Sequence, residues 1–248
     1  MDEVTCYAIV LAAGKGKRMR DESLPAEFPK VLRQVKGRAL VDYVVDALRQ
    51  ADVTDITLIV GFGADYVRQA MGDTFTYAVQ SEQLGSGHAV ASARELLGDR
   101  SGTAIVMCGD SPLFTSSTIN RLKDHHASTG ATITLVSAFL DNPTGYGRIK
   151  RDGDGRITGI VEEKCASDEE KSIKEINGGA LAFDSKWLWE NIDRMQVNEA
   201  GELNLTDLVR VAISQGKLVE AVATDPEEVM GVNTPEDLRE AERILAGR

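Results

Sequence analysis

The sequence predicts an α/β fold: a doubly wound, mostly parallel sheet with helices on both faces and a small β-rich subregion in the second half. Three observations carry this prediction. Strand and helix patterns alternate through the first half of the chain. Tyr7-Ala-Ile-Val-Leu-Ala12 and Thr103-Ala-Ile-Val-Met-Cys108 are unbroken apolar runs, the pattern of a parallel strand buried on both faces. Both runs stop in glycine-containing turns, where such folds place their ligands.

The elements follow in order. The first strand covers residues 7–12. Leu40, Tyr43, Val44, Ala47, Leu48 and Ala51 recur at helical spacing and predict an amphipathic helix. Residues 56–60 read as a strand, 64–71 as a helix, 75–79 as a strand and 88–97 as a helix. A buried strand over 103–108 runs into Gly109-Asp110-Ser111-Pro112, and a helix over 115–127 follows. The second half is less regular. Residues 131–138, 157–161 and 176–183 read as strands, and Asp152-Gly153-Asp154-Gly155 reads as a hairpin turn between Ile149 and Ile157. Helices are expected over 205–214 and 235–246, the last with Thr234 as N-cap and Pro235 at its first position. The whole is one Rossmann-like domain, 1–248. Residues 1–130 form the first half, and 131–248 form the second half with the C-terminal helix. No internal repeat or low-complexity linker interrupts it.

Composition narrows the class. The chain has 248 residues, 42% of them hydrophobic and 27% charged, enough for a large core and unlike a disordered or membrane chain. No apolar run approaches a membrane span. The start, with Asp2 and Glu3, lacks a basic leader, so a cytoplasmic location is expected. The net charge of -11 disfavours nucleic acid but not a small anion held by a few basic residues. Cys6, Cys108 and Cys165 form no CxxC pair and read as reduced thiols.

The most informative segment is Leu11-Ala12-Ala13-Gly14-Lys15-Gly16-Lys17-Arg18-Met19. A buried strand runs into two glycines and then three basic residues within four positions. Glycines let backbone N–H groups approach phosphate oxygens, and the cations offset phosphate charge. The plainer alternative is a strand-to-helix turn with solvated lysines. A dinucleotide GxGxxG loop would need glycine where Met19 stands, and no GK[ST] completes a Walker A loop.

With Pro29-Lys30-Val31-Leu32, this segment resembles the signature of the sugar-phosphate nucleotidyltransferases. Further segments occur in family order: Gln80-Ser-Glu-Gln-Leu-Gly-Ser-Gly-His-Ala89, Gly109-Asp110, Asp141-Asn-Pro-Thr-Gly-Tyr-Gly-Arg-Ile149, Ile160-Val-Glu-Glu-Lys164, Glu175-Ile-Asn-Gly-Gly179 and Gly231-Val-Asn233. Together they resemble the uridylyltransferase (pyrophosphorylase) domain of bacterial N-acetylglucosamine-1-phosphate uridylyltransferases over nearly the whole chain.

The resemblance implies attack of a sugar 1-phosphate oxygen on the α-phosphorus of a nucleoside triphosphate, with pyrophosphate leaving. The nucleophile is already ionised, so positioning and charge stabilisation suffice. That accords with the lack of a Ser-His-Asp set. It further implies that Leu11, Ala12, Ala13 and Gly14 line the nucleotide pocket, with Gly109. Arg18 and Lys30 would be the catalytic cations. Gln80, Gly85 and Ser86 would read the base. Gly147, Glu162 and Asn177 would hold the sugar phosphate, and Asp110 and Asn233 would bind Mg2+ through hard oxygen donors. Read alone, Lys30 could be a surface lysine, Asp110 a turn former and Asn233 part of a helix cap.

The implied partners are UTP and N-acetylglucosamine 1-phosphate, without nucleic acid or membrane and with room for a homo-oligomer. A related thymidylyl- or cytidylyltransferase, or a non-catalytic nucleotide-sugar-binding module, is the alternative. Five features depart from the family pattern. Ser86 stands where threonine is common; it keeps the hydroxyl and loses a methyl. The stretch from Arg18 to Lys30 is longer around Ala26-Glu27-Phe28. Cys108 replaces a common aromatic residue and reads as a buried small hydrophobe. Gly178 stands where threonine is usual, and Asn204 interrupts an aromatic pair; both are expected to touch the sugar side. His88, His125 and His126 read as structural. No hexapeptide repeats follow, so acetyl transfer is not expected.

Overall fold

The computed structural model describes residues 6–19, 21 and 23–248. Residues 1–5, on which the leader reading rests, and the side chain of Lys17 lie outside the described residues.

The sheet is built around β1 (Cys6–Ala12). β4 (Ile56–Val60) and β6 (Thr103–Cys108) pair with it in parallel on either side, and β5 (Thr76–Val79) adds to β4, also in parallel. Beyond β6 lie β10 (Glu175–Asp184), β7 (Ile133–Phe139) and the edge strand β11 (Val219–Ala223). β10 runs antiparallel to both of its neighbours, and β11 runs parallel to β7. Along the path β5, β4, β1, β6, β7 and β11 therefore share one direction, and β10 alone is reversed. A hairpin of β8 (Arg148–Arg151) and β9 (Ile157–Val161) hangs from β10 by the pairing of Ile176 with Arg148. This is the β-rich subregion. Short β2 (Gln34–Val35) and β3 (Arg38–Ala39) form a separate ribbon.

Alternation along β1 divides the core. Tyr7 and Ile9 face a cluster with Trp187, Leu188, Leu208 and Val209, whereas Ala8, Val10 and Ala12 face Val44, Leu48, Val67 and Leu122. The first face is covered by α3 (Ser86–Ala91), α4 (Arg94–Leu97), α7 (Ser185–Asn191) and α8 (Asp207–Ser214). The second is covered by α1 (Leu40–Gln50), α2 (Ala64–Met71) and α5 (Ser116–Thr129). One-turn α6 (Asp168–Lys171) lies beside the hairpin, and α9 (Pro235–Gly247) closes the chain. Thr234 caps α9 in a capping box with Asp237, and Pro235 stands at its start, as the sequence indicates.

Several elements differ from expectation. The helix expected over 88–97 is two helices meeting at Ser92 and Ala93. The helix expected from 205 begins at Asp207. β11, α7 and the β2–β3 ribbon were not foreseen.

Candidate active site

Three chain segments converge beyond the carboxyl ends of β1 and β6. The Oδ1 of Asn233 accepts hydrogen bonds from Lys30 Nζ at 3.0 Å and from Arg18 at 3.2 Å. Lys30 also makes an ion pair with Asp110, and the side chains are only 12% and 20% exposed. The backbone completes the junction: Val232 N–H donates to the Asp110 carbonyl at 2.9 Å, and Gly109 N–H donates to the Leu11 carbonyl at 2.9 Å.

The sequence explains why these segments meet. Each polar residue has a buried apolar residue close by: Met19 beside Arg18, Leu113 after Asp110 and Val232 before Asn233. All three pack in one cluster with Leu40, Ala241 and Ile244. Burying each side chain stabilises the junction by roughly 1.5–3 kcal/mol. Met19, which excludes the dinucleotide loop, thus anchors this one from behind. Gly16 has φ +54°, and a Cβ there would lie 2.6 Å from Lys30 Cβ, so glycine lets the lysine stem cross the loop. The Asn233 backbone N–H is held by Asp237 at 2.8 Å. The cap belongs to Thr234, which leaves the Asn233 amide free to meet the two cations.

The loop between β1 and Arg18 has open donors. Among the described residues, the N–H groups of Gly14, Lys15 and Gly16 enter no protein hydrogen bond, whereas Met19 N–H closes on Gly16 at 2.8 Å. Consecutive free N–H groups beside two cations form an anion-binding concavity. Asp110 and Asn233 offer oxygen donors only. Among the described residues no cluster of three or more His, Cys, Asp or Glu could hold a metal. A donor pair of this kind fits Mg2+, which takes few protein oxygens and completes its shell with phosphate and water.

The longer stretch before Lys30 is folded down rather than loose. Asp21 accepts from Ser23 N–H at 3.0 Å and pairs with Arg33 at 3.1 Å. The Phe28 ring meets Tyr66 of α2 at 5.8 Å between centroids.

A second group of expected residues lies after β5, where Gln80 is 3% exposed. Its Nε2 donates to the Gly85 carbonyl at 3.1 Å and lies 3.1 Å from Nδ1 of His88. Gly85 has φ +102°, and a Cβ there would come within 2.4 Å of the Leu203 carbonyl. The Ser86 hydroxyl accepts from Leu205 N–H at 3.0 Å, and Gly87 N–H donates to the Leu203 carbonyl at 2.8 Å. The loop 84–87 is therefore stitched to the segment 203–205.

A third group lies where the β8–β9 hairpin meets β10: Asn177 N–H donates to the Gly147 carbonyl at 2.9 Å. Glu162 accepts from the Thr206 hydroxyl at 2.8 Å, and a Cβ on Gly147 would sit 3.4 Å from its Oε2. Glycine at 147 thus keeps room beside that carboxylate. A groove of about 760 Å³ lies here, lined among others by Glu162, Lys164, Asn204, Thr206 and Arg210. Behind it, the buried Arg148 guanidinium, 1% exposed, donates to Glu163 at 2.6 Å and to the Tyr146 carbonyl. Glu163 also accepts from Gly145 N–H at 3.1 Å. The Arg148 guanidinium, and then that N–H, hold the Glu163 carboxyl below its ordinary range.

A family model described as nucleotidyl transferase matches residues 7–246. The chain belongs to this family. Curated relatives include the bifunctional protein GlmU of Geobacillus sp. (strain WCH70), 44% identical over 98% of this chain and 52% of that protein. GlmU of Enterococcus faecalis (strain ATCC 700802 / V583) is 43% identical over the same shares. The chain spans about half the length of the curated relatives it matches. A crystal structure described as a putative glucose-1-phosphate thymidylyltransferase from Bacillus anthracis, in complex with a sucrose, superposes with a TM-score of 0.79. It covers 97% of this chain and 95% of that one at 22% identity, a likeness of fold.

Within this nucleotidyl transferase fold, the residues expected from sequence fall into three groups. Asn233 joins Arg18 to Lys30, and Lys30 joins Asp110, whose neighbour Gly109 is tied to Leu11. Gln80, Gly85 and Ser86 form a second group, and Gly147, Glu162 and Asn177 a third. Asn204 lines the same groove as Glu162. At Gly178 a Cβ would meet Val229 Cγ1 at 2.5 Å, so the position packs against the turn leading to Asn233. Sequence reasoning overlooked Arg148, Glu163 and Glu228. The last is buried, accepting from Thr115 N–H at 2.9 Å and from the Thr115 hydroxyl at 3.0 Å, which ties the turn after Asp110 to the chain before Asn233. A charged residue followed directly by a buried apolar one, as in Arg148-Ile149 and Glu228-Val229, was the available signal. Among the described residues, no helix is long and apolar enough to cross a membrane.

Proposed function

We propose that this chain transfers the uridylyl group of UTP to N-acetylglucosamine 1-phosphate, giving UDP-N-acetylglucosamine and pyrophosphate with Mg2+. The observation that carries the reading is the convergence of Arg18 and Lys30 on Asn233 and Asp110, beside a loop with three unused N–H groups. The GlmU relatives, matched over almost all of this chain, support the choice of nucleotide and sugar.

The sugar-phosphate oxygen forms a new bond to the α-phosphorus. The bond from that phosphorus to the bridging oxygen breaks, and the electron pair leaves with pyrophosphate. No proton has to be removed from the nucleophile. The backbone of Leu11, Ala12, Ala13 and Gly14, with Gly109, receives the nucleotide, and the N–H groups from Gly14 onward face its phosphates. Arg18 offsets charge on the departing pyrophosphate, and Lys30 offsets charge at the reacting phosphate. Asp110 and Asn233 would hold Mg2+, which would supply further charge stabilisation of the phosphate oxygens. Gln80, Gly85 and Ser86 engage the base. Glu162, held by Thr206, fixes the sugar with Asn177 and the open space at Gly147. A nucleoside triphosphate substrate accords with work in the cytoplasm.

The deciding experiment is pyrophosphate release with Mg2+, measured for UTP, TTP, CTP and GTP against several sugar 1-phosphates. UTP with N-acetylglucosamine 1-phosphate is expected to turn over fastest. No release with any pair would remove the enzyme reading, and a preference for TTP or CTP would remove the uridylyl assignment alone.

A further inference from the structure

We propose that His88 fixes the orientation of the Gln80 amide, so that the site presents an acceptor to the base and takes pyrimidines bearing an N3–H while refusing cytosine. The inference rests on the base lying beside Gln80, as in the function proposed above.

The argument is a count of donors and acceptors. The Gly85 carbonyl can only accept, so the Gln80 group 3.1 Å from it is the amide nitrogen. That nitrogen carries two hydrogens. The second points to Nδ1 of His88, also at 3.1 Å, so Nδ1 is the lone-pair nitrogen of a neutral ring with its proton on Nε2. Both amide hydrogens are then used. Oε1 has no protein donor among the described residues, and it is absent from the buried unpartnered atoms, so it reaches solvent. An almost fully buried glutamine thus shows the cleft one group, a carbonyl oxygen.

Uracil and thymine answer it with N3–H. Cytosine has a lone pair at N3, so two acceptors would face each other, and a site built for one hydrogen bond rejects a base that lacks the donor. Turning the amide over would place Oε1 against the Gly85 carbonyl and the Nδ1 lone pair together. With His88 removed, only one of these anchors remains. His88 is therefore a positioning residue, acting through Gln80.

The test is calorimetric titration of the full chain with UTP, CTP and N3-methyl-UTP in the presence of Mg2+ and without sugar phosphate. The wild type is expected to prefer UTP over both. In His88→Leu the UTP-to-CTP affinity ratio should fall about tenfold, the effect of one hydrogen bond. His88→Asn, whose Oδ1 can accept where Nδ1 did, should retain most of the ratio. A role of His88 in folding alone would lower both affinities together and leave the ratio unchanged. Equal binding of UTP and CTP, or tight binding of N3-methyl-UTP to the wild type, overturns the proposal while leaving nucleotide transfer intact. So does a wild-type ratio in a folded His88→Leu. No binding of UTP at all removes the nucleotide reading together with this one.

Discussion

Lys30 and Asn233 are separated by almost the whole chain and meet at 3.0 Å, with Asp110 on the same ammonium. In a protein of net charge -11, this junction brings two cations onto one amide oxygen, which suits a polyphosphate.

The first prediction concerns that carboxylate. Asp110→Ala should lower turnover by about two orders of magnitude or more, the usual effect of removing a group that organises transition-state charge. The fold should survive, because Leu113, Met19 and Val232 still close the apolar cluster behind the site. Pyrophosphate release and thermal melting, measured on one preparation, separate the two effects. Activity close to wild type would remove Asp110 from the site.

Burial of the cysteines gives a second prediction. Burial pushes the Cys6 thiol up to about 11 and that of Cys108 up to about 12, whereas Cys165 is exposed. Both buried thiols are protonated at pH 8 and therefore poor nucleophiles. Iodoacetamide at that pH should label Cys165 alone, read by peptide mass spectrometry, with activity retained. Rapid labelling of Cys108 would contradict its role as a packed apolar residue two positions before Asp110.

The parallel half of the sheet was legible because its strands are apolar on both faces and its turns carry glycine. β10 was legible as a strand but not as a reversed one, since direction depends on its partners β6 and β7 and not on local pattern. β11 escaped because Val219-Glu220-Ala221-Val222-Ala223 is short and carries a charged residue, Glu220, within its apolar run. α7 hid behind an aromatic run, although Asp184 accepts from Trp187 N–H at 2.7 Å as an ordinary N-cap. The residues expected at the site were named from sequence motifs. Arg148, Glu163 and His88 lie inside those motifs and Glu228 outside them, but their supporting contacts were not legible, because these depend on partners distant in sequence or on side-chain direction.

Glu163 supports a pH prediction. Its folded carboxyl lies below the ordinary value of 4.5, first through Arg148 and then through Gly145 N–H. A depressed acid stabilises the fold above its unfolded value and loses that contribution as pH falls through the folded one. Below about pH 4.5 the Gly145–Gly147 turn should therefore loosen. Glu163→Gln should flatten that part of the stability-versus-pH curve. Arg148→Met, which leaves Glu163 unpaired, should lower Tm by roughly 5 °C and raise the sugar-phosphate KM more than the UTP KM. Equal changes in both KM values would mean that the pair supports the whole fold and not the acceptor side.

The last prediction turns on a glycine that stands where the family resemblance places threonine. Gly178 has no positive φ, so space alone forbids a larger residue. A Cβ would lie 2.5 Å from Val229 Cγ1 and 3.1 Å from the Val136 carbonyl. Val229 is 2% exposed and cannot swing into solvent. It also lies four residues before Asn233, so displacing it moves the segment that carries the amide. Gly178→Thr should therefore lower both Tm and turnover, with overpacking costing about 1–3 kcal/mol. Val229→Ala in the same chain opens the space that threonine needs, so the double variant should recover much of the loss, with a coupling of about 1 kcal/mol or more. Strict additivity in this cycle would show that the two residues do not share the space. The glycine at 178 would then need a cause other than the valine that fills its place.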